Sequence, residues 1–262
     1  MNRIGDPMSL LQLPQEKIFY ISRHKDSGFP SLLFIHGAGG NHRHWLYQWH
    51  ALAQQGFEVY ALDLPGHGKS TGEPGGSLES YAESVISFCQ LLGLKQPILI
   101  GHSMGGAIAL LVAISGRLSC RGLILLGTGA ELPEANNLLK LLQQENGLQL
   151  MLAQLYGDDV KKAQEKAYLE LHKIPKKTLL CDFKSCAKVK LPTTKLQKLN
   201  LPVSIIVGTK DQVTPPTLSQ ALHHFIPGSE LHLIAGGNHM LMFQHPLKIT
   251  EKILNFCHSN FN

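Results

Sequence analysis

The stretch Ile98-Leu99-Ile100-Gly101-His102-Ser103-Met104-Gly105-Gly106-Ala107-Ile108-Ala109-Leu110 constrains the fold of this chain more than any other. Pro97 leads into a short apolar run with the pattern of a buried strand, and Gly105 to Ser115 is apolar and rich in small residues, the pattern of a closely packed helix. Gly101-x-Ser103-x-Gly105 leaves almost no room for a loop between them. A serine on so tight a strand-to-helix turn sits in strained backbone, and its neighbours two places away must be small for the turn to close. Its hydroxyl then stands above the sheet edge at the positive end of a helix, where developing negative charge is favoured. The same residues also suit a glycine-rich loop that merely contains a serine. The rest of the chain decides between the two.

On either side of this stretch, short apolar runs alternate with helical spacing. Glu16–Ile21 reads as an early edge strand, and Leu32–Ile35, apolar throughout, as a strand buried on both faces. From His44 to Gln55 a helix is predicted, with Trp45, Leu46, Trp49, Leu52 and Ala53 on one stripe. Phe57–Leu62 is the next strand, Ser77–Leu92 a helix with Ser77 as its cap, and Gly122–Gly127 a strand after the Ser103 turn. Strand, helix, strand in repetition implies a mostly parallel sheet with helices on both faces. The rhythm stops between Ala130 and Lys195, where Leu, Gln and Lys recur at helical spacing. It resumes with the strand Val203–Gly208, a helix Leu218–Phe225, the strand Leu231–Ile234 and a closing helix Pro246–Cys257. Two parts are therefore expected: a core of residues 1–129 and 196–262, and a helical insertion of residues 130–195 whose apolar face lies over the carboxyl edge of the sheet.

Bulk properties narrow the class. With 262 residues, 44% hydrophobic and 16% charged, the chain is long and apolar enough for a sizeable core and is not disordered. Five scattered cysteines with no CxxC argue against a disulfide framework or a structural zinc site. The first fifteen residues lack an apolar signal-peptide region and no run has transmembrane length, so a cytoplasmic protein without a membrane span is expected. The net charge of +5 is concentrated between Asp158 and Lys198, where eleven lysines face five acids. That segment has no Arg and few aromatics, so it reads as a solvated lysine face, and no nucleic-acid partner is expected.

Ligands of open parallel sheets bind beyond the carboxyl ends of the strands. Standing there are His36-Gly37-Ala38, Asp63, Ser103, Gly127-Thr128, Asp211 and His239, which include a nucleophile, two acids and a base. Serine needs an imidazole to take its proton, and the imidazole needs a carboxylate to fix its tautomer. Five motifs, HGAGG (His36–Gly40), DLPGHGKS (Asp63–Ser70), GHSMGG (Gly101–Gly106), VGTKDQVTP (Val207–Pro215) and GGNHM (Gly237–Met240), follow five predicted strands in order. Through them the sequence resembles the α/β-hydrolase fold superfamily, in its esterase-like branch with a helical cap. The resemblance implies an eight-stranded-type α/β sheet, Ser103 as nucleophile, His239 as base, Asp211 as acid, and an oxyanion hole made by the backbone N–H groups of Ala38 and Met104. Asp63 and Glu131 are rival acids, Asp63 more naturally ordering its glycine-rich turn. His36, Gly37 and His102 are expected to support the site. His42 and His44 read as a solvated helix start rather than a metal site, Cys181 and Cys186 as packing. Asn238 stands where many relatives carry glycine, which leaves the setting of the His239 loop open.

No cofactor and no metal are expected. The first expectation for function is a serine hydrolase, of carboxylesterase type, acting on a small or medium, partly apolar ester. An acyl-CoA thioesterase drawn to the lysines Lys176, Lys177 and Lys184, a carbon–carbon bond hydrolase or lactonase, and a non-catalytic ligand-binding member are the alternatives. Oligomeric state is not readable from these residues.

Overall fold

Five strands are buried along their whole length, and the computed structural model, which describes residues 8–23, 28–157 and 174–261, places them side by side in the middle of one sheet. They are β3 (Leu32–Ile35), β4 (Val59–Leu62), β5 (Ile98–His102), β6 (Gly122–Leu126) and β7 (Val203–Gly208). With β1 (Met8–Gln12), β2 (Lys17–Arg23) and β8 (Glu230–Ile234) they form an eight-stranded sheet in the order β1-β2-β4-β3-β5-β6-β7-β8. The β1–β2 and β2–β4 pairs are antiparallel and every other pair is parallel. β3 lies between β4 and β5, so the chain steps outward to β4 and then crosses back to β5. The strand order reverses there, and a crevice opens beyond the ends of β3 and β5.

Each face of the sheet carries its own apolar cluster. On one face, α2 (Leu78–Leu92) and α3 (Met104–Ser115) pack together and share their cluster with Leu222 of α8 (Pro216–Phe225). On the other, α1 (Leu46–Gln54) packs against α10 (Pro246–Phe261), with Trp45, Leu52, Ile249 and Ile253 buried beneath. Ser77 caps α2 by accepting from the Ser80 N–H, and Gly93, with φ of +68°, ends it in the left-handed conformation that glycine adopts without a Cβ clash.

Between β6 and β7 the chain forms α4 (Ala135–Leu141), α5 (Gly147–Tyr156), α6 (Lys176–Lys188) and the single turn α7 (Thr193–Leu196). The insertion has a closed neck: Glu131 and Lys190 form an antiparallel bridge, and the Leu191 N–H donates to the Ala130 carbonyl at 2.9 Å. Leu138, Leu142, Met151, Leu152, Leu179 and Phe183 are buried, whereas Lys176, Lys177, Lys184 and Lys188 are exposed. The lysine face therefore points to solvent on α6; its stretch from 158 to 173 lies outside the described residues.

Three local features depart from the sequence expectations. β1 was not expected, because its residues alternate between exposed and half-buried and none is fully covered, as suits a sheet edge. The helix expected from His44 opens as a 3-10 turn, His42–Trp45, and becomes regular at Leu46. A further single turn, α9 (Leu241–Gln244), follows directly on the His239 loop.

Candidate active site

Ser103 joins β5 to α3 with φ of +53° and ψ of −118°, a region that side-chain-bearing residues enter only under constraint. The constraint is visible in the bonds. Its N–H donates to the Leu126 carbonyl at 2.8 Å, and its carbonyl accepts from the Gly106 N–H and from Thr128 Oγ1, both at 2.9 Å. A Cβ at Gly101 would overlap the Gly105 carbonyl, and one at Gly105 would overlap the carbonyl oxygens of Ile35 and His36. The two glycines are needed because backbone occupies the space that a side chain would take.

Asp211 lies three residues beyond β7 and His239 five beyond β8, on neighbouring strands. Both are buried, and His239 Nδ1 is 2.8 Å from Asp211 Oδ2. The carboxylate is held in turn: Oδ1 accepts from the Val213 and Thr214 N–H groups at 2.9 and 2.8 Å, and Oδ2 from Thr214 Oγ1 at 2.9 Å. An imidazole whose Nδ1 donates to a carboxylate presents Nε2 as the acceptor. Among the hydrogen bonds of the described residues, the Asp211–His239 link is closed and none joins Ser103 Oγ to the imidazole, a contact that often tightens only when substrate arrives.

The three residues expected to support the site, His102, Gly37 and His36, lie as follows. His102 Nε2 lies 3.0 Å from the His239 carbonyl, tying the serine turn to the histidine loop. Gly37 fits against His102, whose Nδ1 would be 2.9 Å from a Cβ there. His36 donates through Nδ1 to the Gly37 carbonyl at 2.8 Å and accepts at Nε2 from the Leu64 N–H at 3.0 Å, bracketing the ends of β3 and β4. That pattern needs neutral imidazole, and burial together with nearby His67 pushes its pKa well below the usual range. Among the described residues, neither the Ala38 nor the Met104 N–H donates to a protein acceptor; Met104 follows Ser103 directly, and Ala38 follows Gly37, where a Cβ would lie 3.3 Å from Ser103 Cβ. Unspent backbone amides are the kind of donor that can hold an oxyanion.

The rival acids are used elsewhere. Asp63, fully buried, accepts from the N–H of His42 at 2.6 Å and that of Lys69 at 2.8 Å and pairs with His42 Nδ1 at 2.7 Å, which orders the turn after β4. Glu131 pairs with Lys190 at 3.2 Å across the neck of the insertion. This corrects the reading of His42 as solvated: it packs on Phe19, with ring centroids 4.9 Å apart, and on the Asp63 carboxylate. Among the described residues no group of three His, Cys, Asp or Glu side chains is placed to hold a metal ion.

Three residues acquire places that spacing did not reveal. Asn238 donates through Nδ2 to the Tyr156 carbonyl at 2.8 Å, and Met240 through its N–H to the Leu155 carbonyl at 3.3 Å. The end of α5 is thus bonded on both sides of His239. Asp182 of α6 is wholly buried beneath the insertion and bonds to Gly39, His67 and Tyr81. A carboxylate on the stripe of Leu179, Phe183 and Cys186 was the one signal that could have exposed it.

A parallel sheet crossed at its switch point, with a strained serine, a buried acid–imidazole pair and two free amides at the strand ends, defines a hydrolase of the α/β type. Residues 32–252 match the model of the Alpha/beta hydrolase family, and the chain belongs to that family. An uncharacterized protein of Mycobacterium tuberculosis is 28% identical over 256 residues, covering 87% of this chain and 75% of the relative. Among solved structures, a lipase-esterase related protein from Clostridium acetobutylicum is 26% identical with a TM-score of 0.81, covering 91% of this chain and 99% of the other. An esterase from Exiguobacterium antarcticum shares the fold with a TM-score of 0.84 at 22% identity, covering 93% and 96%. Among the described residues no helix is long and apolar enough to cross a membrane.

Proposed function

We propose that the protein is a serine hydrolase that cleaves a carboxylic ester of a small or medium, partly apolar substrate through an acyl-enzyme. The observation that carries this reading is the 2.8 Å bond between Asp211 and His239 Nδ1, with the His239 loop tied by His102 to the turn that strains Ser103. Ser103 Oγ attacks the carbonyl carbon while His239 Nε2 takes its proton, and the Ala38 and Met104 N–H groups hold the oxyanion. His239 then gives that proton to the leaving alkoxy oxygen as the carbon–oxygen bond breaks. Water, deprotonated by His239, attacks the acyl-enzyme, and collapse of the second oxyanion releases the acid and restores the Ser103 hydroxyl.

The helical insertion, residues 130–195, serves in this reading as the cap that selects the substrate. Leu179 and Ile174 cover Gly39 beside the oxyanion amides, which supports an apolar group at that end of the substrate. The lysines that would draw a CoA thioester are exposed on the outer side of α6, and Lys177 is paired with Glu73, so the uncharged ester is the better match. A panel of p-nitrophenyl esters of rising chain length, run beside acyl-CoA substrates, tests the reading. Ser103→Ala is expected to lower kcat by about 10⁴- to 10⁶-fold, and retention of most activity in that variant would overturn the assignment.

A further inference from the structure

Asp182 reaches three separate parts of the core from the middle of α6. Its Oδ2 accepts the Gly39 N–H at 2.8 Å and lies 2.8 Å from His67 Nε2, and its Oδ1 accepts the Tyr81 hydroxyl at 2.7 Å. Gly39 belongs to the turn after β3, His67 to the loop after β4, and Tyr81 to α2. His67 Nδ1 faces the Pro65 carbonyl at 2.9 Å, so both ring nitrogens face groups that only accept, and both must carry hydrogen. With Asp182 ionised, the pair is an imidazolium and a carboxylate buried together. Burial pulls the His67 pKa down, but Asp182, through charge and hydrogen bond, together with the Pro65 carbonyl and the Asp63 charge, raises it overall. The other titratable groups around the pair are His36, with its ring 4.9 Å from that of His67, Tyr81, Asp63 and Cys186.

A buried ion pair is a poor device for stability alone, since well-packed apolar residues commonly do as well or better. What this one adds is aim. The Gly37–Gly40 loop closes on itself through the Gly40 N–H and the Gly37 carbonyl, at 3.0 Å. Its outer side is held by the Gly39 N–H on Asp182, with Leu179 of the same helix packed against Gly39. The Gly39 amide is the peptide unit next to the one that carries the Ala38 N–H, so pinning the first restricts rotation of the second.

We propose that Asp182 is a positioning residue for the hydrolytic reaction: held by His67 and Tyr81, it fixes the Gly37–Gly40 loop so that the Ala38 N–H meets the developing oxyanion. Seating of the helical insertion and competence of the oxyanion hole are then one event. The proposal rests on the serine-hydrolase reading above.

The test uses full-length Asp182→Asn and Tyr81→Phe with the best p-nitrophenyl ester of the panel. A trifluoromethyl ketone of matching chain length serves as the probe for the tetrahedral adduct, and thermal melting is followed in parallel. Loss of one oxyanion donor outright costs about 10²- to 10³-fold in kcat, so a misaimed donor is expected to cost less, about 10- to 100-fold in Asp182→Asn and about 3- to 10-fold in Tyr81→Phe. KM should stay within about threefold, and ketone affinity should fall in step with kcat/KM. A wild-type kcat per folded molecule in Tyr81→Phe, or a change confined to KM or to melting temperature, would overturn the proposal, even if Asp182→Asn does not fold. Ser103→Ala separates the two readings. If it stays active, the nucleophile assignment fails; if it is inactive while both other variants keep full kcat and ketone affinity, only the role of Asp182 fails.

Discussion

His102 Nε2 lies 3.0 Å from the carbonyl oxygen of His239, so the residue before the strained serine holds the backbone of the imidazole that faces Asp211. A carbonyl only accepts, which assigns the hydrogen to Nε2. Burial, and then the neighbouring His239, press the His102 pKa well below the usual histidine range, consistent with a neutral ring in that tautomer. Replacing His102 with leucine strands a buried carbonyl, which costs about 1–3 kcal/mol. Urea unfolding of His102→Leu should show that loss, and kcat should fall more than KM rises, because the imidazole loop loses its anchor. Wild-type stability together with wild-type kcat would contradict this role.

The buried histidines also set how stability responds to pH. His36 and His102 have folded pKa values below 6.5, so under acid the unfolded chain binds protons that the folded one refuses. Stability must then fall as pH drops below the unfolded value, by up to about 1.4 kcal/mol per pH unit for each group. His67 runs the other way. Its raised folded pKa contributes stability that is fully present below 6.5 and is lost as pH rises through the folded value. Urea midpoints measured between pH 4.5 and 9 should therefore decline on both sides. A His102→Leu variant should show a shallower acid limb than the wild type, and an identical slope would refute the assignment.

How much of this was legible in the sequence follows from what each interaction spans. β3 to β7 are apolar on both faces, so their runs announce themselves, and the motifs after β5, β7 and β8 point to Ser103, Asp211 and His239. β1 pairs only with β2 and covers none of its residues fully, and so it left no pattern. Asp182 was counted among five acids of a lysine-rich segment, because its meaning lies in bonds to residues 143, 115 and 101 positions away. No local spacing encodes such a pairing. His42 was misread for a related reason: its partner Asp63, 21 residues on, meets it only because β3 and β4 lie side by side.

Gly105 and Gly76 make a controlled pair. A Cβ on Gly105 would meet backbone carbonyls of β3 and of the turn after it, and neither can yield without moving the sheet. Gly105→Ala should cost about 3 kcal/mol or more, at the upper end of overpacking effects. For a chain of this size each kcal/mol lowers the melting temperature by about 2–4 °C. Gly76 has open space around its Cβ position and no left-handed φ, so Gly76→Ala should be neutral or slightly stabilising. Equal melting temperatures for the two variants would mean that the serine turn is not packed as the structure shows.

Asn238 offers the remaining test, because a glycine there would make neither of its side-chain contacts with α5. Its Nδ2 donates to the Tyr156 carbonyl at 2.8 Å, and Gly157, at φ of +60°, lies so near that a Cβ would overlap the amide group. Asn238→Gly removes that bond while leaving the Met240 N–H on the Leu155 carbonyl at 3.3 Å. A hydrogen bond of this kind contributes about 0.5–1.5 kcal/mol, or about 2- to 13-fold in a local opening equilibrium. Amide exchange along Gly147–Tyr156 should accelerate by that factor, with exchange in α2 and α3 unchanged. If α5 exchanges at the wild-type rate in Asn238→Gly, the Asn238 side chain does not hold α5, and the Met240 N–H on Leu155 must hold it without that bond.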